Sequence, residues 1–206
     1  DNSNDLDTED EYIKLCKKYN FTRIKKDNLG ICGGRQFIAE HFDEGDDDFY
    51  IFLEDDMLLQ SENNTVCKNG FREHIPNLYS TVIKIMIEEA FDFLKLSFTE
   101  FYGDNRTQWS WYNVPQKVRF KVWPEYPKLP EIGLDPNAPL TNYNNIKCTN
   151  GVPYADGEIY YCNWPQIVSR LGNKKMFIDT KFGSPFEQTW MSHMFQLTKE
   201  GRLSPA

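Results

Sequence analysis

Apolar and polar positions repeat at two different periods along this chain, and each change of period marks an element. Tyr12, Leu15, Cys16 and Tyr19 recur at helical spacing, which predicts a helix over 8–19 capped by Asp7 or Thr8. Phe21 to Ile24 reads as a short strand, 28–34 as a glycine-bearing loop, and Arg35 to Phe42 as a second helix. After the acidic turn Asp43 to Asp48 comes the unbroken apolar run Phe49-Tyr50-Ile51-Phe52-Leu53, which predicts a buried central strand of a parallel sheet. A long helix is expected over 79–91, with Val82, Ile85, Ile87 and Phe91 near one face, and an alternating strand over 93–98. Residues 103–150 concentrate proline, asparagine and aromatics and read as a long loop-rich insertion with a hairpin at Lys117 to Val122. Regularity returns at Glu158 to Cys162. A helix over 164–171, a strand at Met176-Phe177-Ile178 and a closing helix over 186–198 complete the pattern. Strands and helices alternating in this way predict one α/β domain.

Composition narrows the function classes. Of 206 residues, 40% are hydrophobic and 15% aromatic, enough for a core and unlike a charged disordered chain. The net charge of −8 argues against nucleic acid as a partner, since phosphate backbones need clustered Lys and Arg. Five cysteines, Cys16, Cys32, Cys67, Cys148 and Cys162, show no zinc-site spacing and suit reduced thiols in a cytoplasmic protein, with a peripheral membrane location left open. The N-x-S/T matches at Asn20, Asn63 and Asn105 read as chance in an Asn-rich chain. No apolar stretch reaches the roughly 18 residues that span a bilayer, so no transmembrane segment is expected.

The candidate chemistry lies at Glu54-Asp55-Asp56, directly after the apolar run. In open α/β sheets ligands sit beyond the carboxyl ends of strands. Three crowded carboxylates repel one another unless a cation lies among them, and hard oxygen donors suit magnesium or manganese shared with a substrate phosphate. In an extended chain Glu54 and Asp56 face the same way and could bind the cation as a pair. The plainer reading is a solvated acidic turn. A helix-loop-helix calcium loop lacks its central glycine and final glutamate here.

Three stretches in order resemble glycosyltransferase family 2, whose members have the GT-A fold. Asp1-Asn2-Ser3-Asn4-Asp5-Leu6-Asp7-Thr8 resembles the D-G-S-x-D-x-T signature. Asn28-x-Gly30-x-x-x-Gly34-Arg35-Gln36 is similar to N-x-G-x-x-x-A-R-N, and Phe52-Leu53-Glu54-Asp55-Asp56 resembles F-L-D-x-D-D. The likeness covers residues 1–60 well and the rest loosely. It implies a Rossmann-like GT-A domain with a mixed central sheet, 1–60 being the nucleotide-binding part and 103–206 the acceptor side. By the same resemblance Asp1 would meet the nucleobase of a nucleotide-sugar donor and Arg35 the base or phosphates. Glu54 would reach ribose or metal, Asp55 would belong to the donor site, and Asp56 would bind Mn2+ or Mg2+. Glu54 stands where the family has aspartate. The family's first strand and helix have no counterpart before Asp1, so an upstream segment or second chain is expected to complete the sheet.

Inverting sugar transfer needs a carboxylate to take the proton from the acceptor hydroxyl. Gly157 to Arg170 is similar to the family's acceptor-facing segment, and Phe186-Glu187-Gln188 stands at its E-D motif, which makes Glu187 the expected base although Gln188 replaces an aspartate. A first-turn glutamate complementing a helix dipole is the alternative for Glu187. Asp179 and Asp156 are the fallback bases. His193 is a candidate third metal ligand or a structural histidine. Trp109, Trp111 and Tyr112 suit stacking on an acceptor sugar ring, or plugging the core beneath the long loop. Trp164 and Trp190 read as core. The expected function is transfer of a sugar to a glycan or other hydroxyl acceptor. A nucleotidyltransferase, for which Gly33-Gly34-Arg35 is a faint phosphate loop, and a non-catalytic carbohydrate-binding or assembly module are the competing readings.

Overall fold

The computed structural model describes residues 1, 8–54, 76–96, 143–157, 159, 161, 163, 165–180 and 187–206. Glu9–Tyr19 forms α1, with three acidic residues in its first turn, Lys17 and Lys18 in its last, and Asn20 in the left-handed conformation closing it. The expected strand at Phe21 to Ile24 is not formed; the chain there is irregular. Gly30–Asp43 forms α2 and Phe49–Phe52 forms β1. Leu78–Glu89 forms α3, whose buried face is Thr81, Val82, Ile85 and Met86, while Ile87 is exposed. Phe93–Lys95 forms β2. Tyr143–Thr149 and Val152–Gly157 form a hairpin, β3 and β4, inside or just beyond the stretch expected as loop. Its two-residue turn is Asn150-Gly151, both at positive φ (50° and 80°), the pair such a tight turn demands.

Gln166–Ser169 is β5, where a helix over 164–171 was expected. A run this short cannot be assigned by periodicity alone; Ile167 and Val168 are buried on opposite faces, which only a strand allows. One helical turn, α4 (Arg170–Asn173), leads into a π-helical turn at Lys174–Ile178 that replaces the expected strand at Met176 to Ile178. The wide turn leaves carbonyls that side chains satisfy: Gln36 Nε2 donates to the oxygen of Phe177 (3.0 Å) and Trp190 Nε1 to that of Met176 (3.4 Å). Glu187–Lys199 forms α5, as expected.

The fold is α/β, with a three-stranded sheet in the order β1-β5-β2. Both β1 and β2 pair antiparallel with β5. Among the described residues β1 is therefore an edge strand with an antiparallel neighbour, which corrects the expectation of a central strand in a parallel sheet. The physical reason is visible along the run itself: Phe52 is buried, but Ile51 and Leu53 are exposed by 43% and 37%. Beyond β2, Pro205 bridges Phe93 in parallel, with Ala206 N donating to the Phe93 oxygen.

Strand pleating divides the core. Val168 and Phe93 face a cluster with Ala39, Met176, Phe177, Trp190 and Met194 from α2, the π-turn and α5. Ile167 and Leu94 face Val82, Ile85 and Met86 of α3 and Val152 and Tyr154 of the hairpin. Asp92, 1% exposed, ties the layers together: both its oxygens accept from Lys175 Nζ (2.9 and 2.7 Å), and Oδ2 also accepts from Ser204 N (2.8 Å). Gly172 packs against its backbone so closely that a Cβ there would lie 2.0 Å from the Asp92 oxygen.

Candidate functional site

The turn into α2 explains the second sequence landmark. Asn28 Oδ1 accepts from Gly30 N (2.9 Å), and Gly30 takes φ +67°, a conformation that favours glycine. At Gly33 a Cβ would come within 2.8 Å of the Leu29 Cβ, so the glycine lets the first turn close on the loop. The helix started this way carries Arg35 inward.

Arg35 is 3% exposed. Its guanidinium lies over the Phe52 ring at 3.6 Å, with Phe177 at 5.1 Å and Tyr161 at 6.0 Å. Nε and Nη2 donate to the Tyr161 hydroxyl oxygen (3.1 and 2.7 Å), while Nη1 is buried with no hydrogen-bond acceptor. No carboxylate forms an ion pair with it among the described residues. Tyr50, next to this group, donates to Asn173 Oδ1 (3.2 Å). Burial pushes the Tyr50 phenol up to about 12 against the pull of Arg35, so it stays neutral and supplies no counter-charge. A desolvated stack on an aromatic face contributes about 2 kcal/mol. That offsets only part of the several kcal/mol that burying an unpaired cation costs.

Phe52 belongs to the third sequence landmark, so α2 and β1 bring the second and third landmarks into direct contact. Glu54, half-buried, follows two residues beyond Phe52, no more than about 7 Å of chain away. Asp55, Asp56, Trp109, Trp111 and Tyr112, and the hairpin expected at Lys117 to Val122, lie outside the described residues, as does Trp164. Of the three carboxylates expected to form a cation site after β1, only Glu54 lies among the described residues. Among the described residues no three His, Cys, Asp or Glu side chains gather as a metal set.

The remaining candidates sit elsewhere. The Asp1 carboxylate accepts from Arg23 Nε (3.0 Å) and Nη2 (2.6 Å), and its amino group donates to the Ile24 oxygen. Arg23 also reaches Glu9, so Asp1 is engaged in an ion-pair network with the chain around 23–26. Glu187 opens α5, and its side chain lies outside the described set. Asp179 is exposed at the end of the π-turn, and Asp156 is half-buried in β4, where behind the Glu89 hydrogen bond it adds to the raising of the Lys147 pKa. His193 is half-buried on α5, near enough to Glu200 to contribute to the lowering of its pKa, behind the hydrogen bonds from Gln196 and Arg202. Trp190 is core, as expected.

Tyr161 is the residue that sequence reasoning passed over. Ile159, Tyr161 and Asn163 are all buried, and the partner of Tyr161, 126 positions away on α2, was not readable from the sequence. No helix of the described residues is long and apolar enough to cross a membrane. Searches against family models, curated proteins and solved structures gave no match.

Proposed function

We propose that this chain is a metal-dependent glycosyltransferase of GT-A type that moves a sugar from a nucleoside-diphosphate donor to a hydroxyl acceptor. The observation that carries the reading is the contact of Arg35 with Phe52, which brings the glycine-arginine landmark against the strand that precedes Glu54-Asp55-Asp56 in the sequence. Two further features support it. β1 and β2 each run antiparallel to β5, so their carboxyl ends open on the same side of the sheet, where ligands of α/β proteins bind. Hard carboxylate donors and an anionic diphosphate are also the two partners a divalent cation bridges.

In this reading Glu54 and Asp56 hold Mn2+ or Mg2+, which when bound supplies charge stabilisation to the leaving diphosphate. Glu187 takes the acceptor proton, and Trp109, Trp111 and Tyr112 stack on the acceptor sugar. The test is manganese-dependent hydrolysis of a panel of nucleotide sugars. The account expects turnover with one nucleotide base, abolished by Asp56→Ala in a protein that still folds. Absence of turnover across the panel, with or without manganese, would count against it.

A further inference from the structure

Helix α1 buries none of its side chains, yet it carries an apolar stripe. Tyr12, Leu15 and Tyr19 recur at i, i+3 and i+7, and they are exposed by 43%, 42% and 54%. Phe21, 68% exposed, prolongs the stripe past the Asn20 cap, its ring centroid 6.1 Å from that of Tyr19. A helix of 11 residues is marginal in water by itself, and covering such a face is what normally stabilises it. The charges beside the stripe are ordered along the helix, with Glu9, Asp10 and Glu11 in the first turn and Lys17 and Lys18 in the last. On one flank Glu9 is already engaged within the chain, by Arg23 (3.3 Å) and Lys25 (2.9 Å). Glu11 and Lys18, seven residues apart, share the other flank. Both are exposed, and neither has an ion-pair partner among the described residues.

We infer that this stripe is the contact through which two copies of the chain associate, α1 packing antiparallel on α1 about a two-fold axis at Leu15. Such an axis exchanges the helix ends and sets each flank against its own counterpart. Glu11 of each copy then meets Lys18 of the other, Tyr12 meets Tyr19, and the two Leu15 side chains close the centre. A parallel pair would instead oppose like charges and align the helix dipoles. The charge order also selects a second copy over a membrane. Lys14, Lys17 and Lys18 balance the three acids of α1, so the helix has no net positive charge to draw it to an anionic lipid surface. The chain as a whole carries −8, which opposes indiscriminate self-association and makes the local match the condition for pairing. An 11-residue helix is about 16 Å long, so the paired surface lies near the lower bound of roughly 1,000 Å² for specific interfaces. A dissociation constant in the micromolar range follows. The pairing stands apart from the sugar-transfer reading and does not rest on it.

Sedimentation velocity of the 206-residue chain in reducing buffer, from low to several hundred micromolar, reads the association. The wild type is compared with Leu15→Glu, Glu11→Lys, Lys18→Glu and the double charge reversal. All three positions are exposed, and circular dichroism checks that each variant keeps the fold. The wild type is expected to dimerise and Leu15→Glu to stay monomeric. Each single reversal is expected to weaken the dimer by roughly tenfold, because two attractive pairs become repulsive. The double reversal should bring the dissociation constant back to within about threefold of the wild type, a recovery that a change in the fold of the monomer would not produce. A wild type that is monomeric throughout overturns the inference, and its binding to phosphatidylserine vesicles would assign the stripe to a lipid surface instead. A dimer indifferent to Leu15→Glu pairs through another surface and overturns it equally. Single reversals without effect, or a double reversal as weak as either single, refute the antiparallel pairing of Glu11 with Lys18.

Discussion

Removing the Asp92 carboxylate tests whether the layers are held as described. Its oxygens receive both contacts from Lys175 (2.9 and 2.7 Å) and the Ser204 amide (2.8 Å), and the side chain is 2% exposed against 32% for the lysine. Asp92→Ala strands the Ser204 amide, which costs about 1–3 kcal/mol if it stays dry. It also unpairs Lys175, whose partial exposure lets water recover some of the loss; breaking a fully buried pair costs about 3–5 kcal/mol. The sum, discounted for that exposure, is about 3 kcal/mol, or roughly 6–12 °C in a chain of this size. Lys175→Met should cost a similar amount, because it leaves a buried carboxylate with one amide. The double variant should lose less than the two singles added, since neither partner is then left uncompensated. Urea unfolding of the four proteins measures all of this. A loss under about 1 kcal/mol for Asp92→Ala, or strict additivity, would refute the reasoning.

Three further outcomes are expected. Gly172→Ala places a Cβ 2.0 Å from the Asp92 backbone oxygen, so α4 must move off β2; thermal unfolding should show a loss of about 2–3 kcal/mol. Ala90 closes α3 at φ 56°, and Ala90→Gly should gain about 0.5 kcal/mol in urea, the relief of strain exceeding the entropy lost. Glu89 accepts from Lys147 (2.6 and 2.7 Å), and that hydrogen bond lowers its pKa below 4.5. A lowered folded-state pKa gives stability that is present above 4.5 and lost as the pH falls through the lowered value, so Glu89→Gln should flatten the stability profile in that acid window.

Where local physics dictated the element, the sequence was readable. The helical spacing of α1 and α3, the strand pattern of β2 and the closing helix were all visible as period, although Thr8 precedes α1 without a side-chain capping bond, and the Asn150-Gly151 turn was legible as a dipeptide though it went unread. What misled were apolar runs of three to eight residues. Gln166 to Ser169 and Lys174 to Ile178 have no intrinsic period long enough to separate strand from helix, and neighbours decide them: β1 and β2 on one, Gln36 and Trp190 on the other. The run Phe49 to Leu53 was taken as central because it is continuously apolar, yet Ile51 and Leu53 stay exposed. At the site, Arg35 and Glu54 were picked from motif likeness. The pairing of Arg35 with Tyr161, 126 residues away, follows from tertiary packing that no local pattern encodes.

The central claim is that the end of β1 holds a nucleoside diphosphate through a divalent cation. Its most direct test is the thermal midpoint of the chain with each nucleoside diphosphate in the presence and absence of manganese. Ligand at a hundredfold over its Kd adds about 2.7 kcal/mol, a shift of several degrees. The account predicts that shift for one base, only when manganese is present, and its loss in Asp56→Ala. No shift with any nucleotide, or an equal shift in Asp56→Ala, would contradict it.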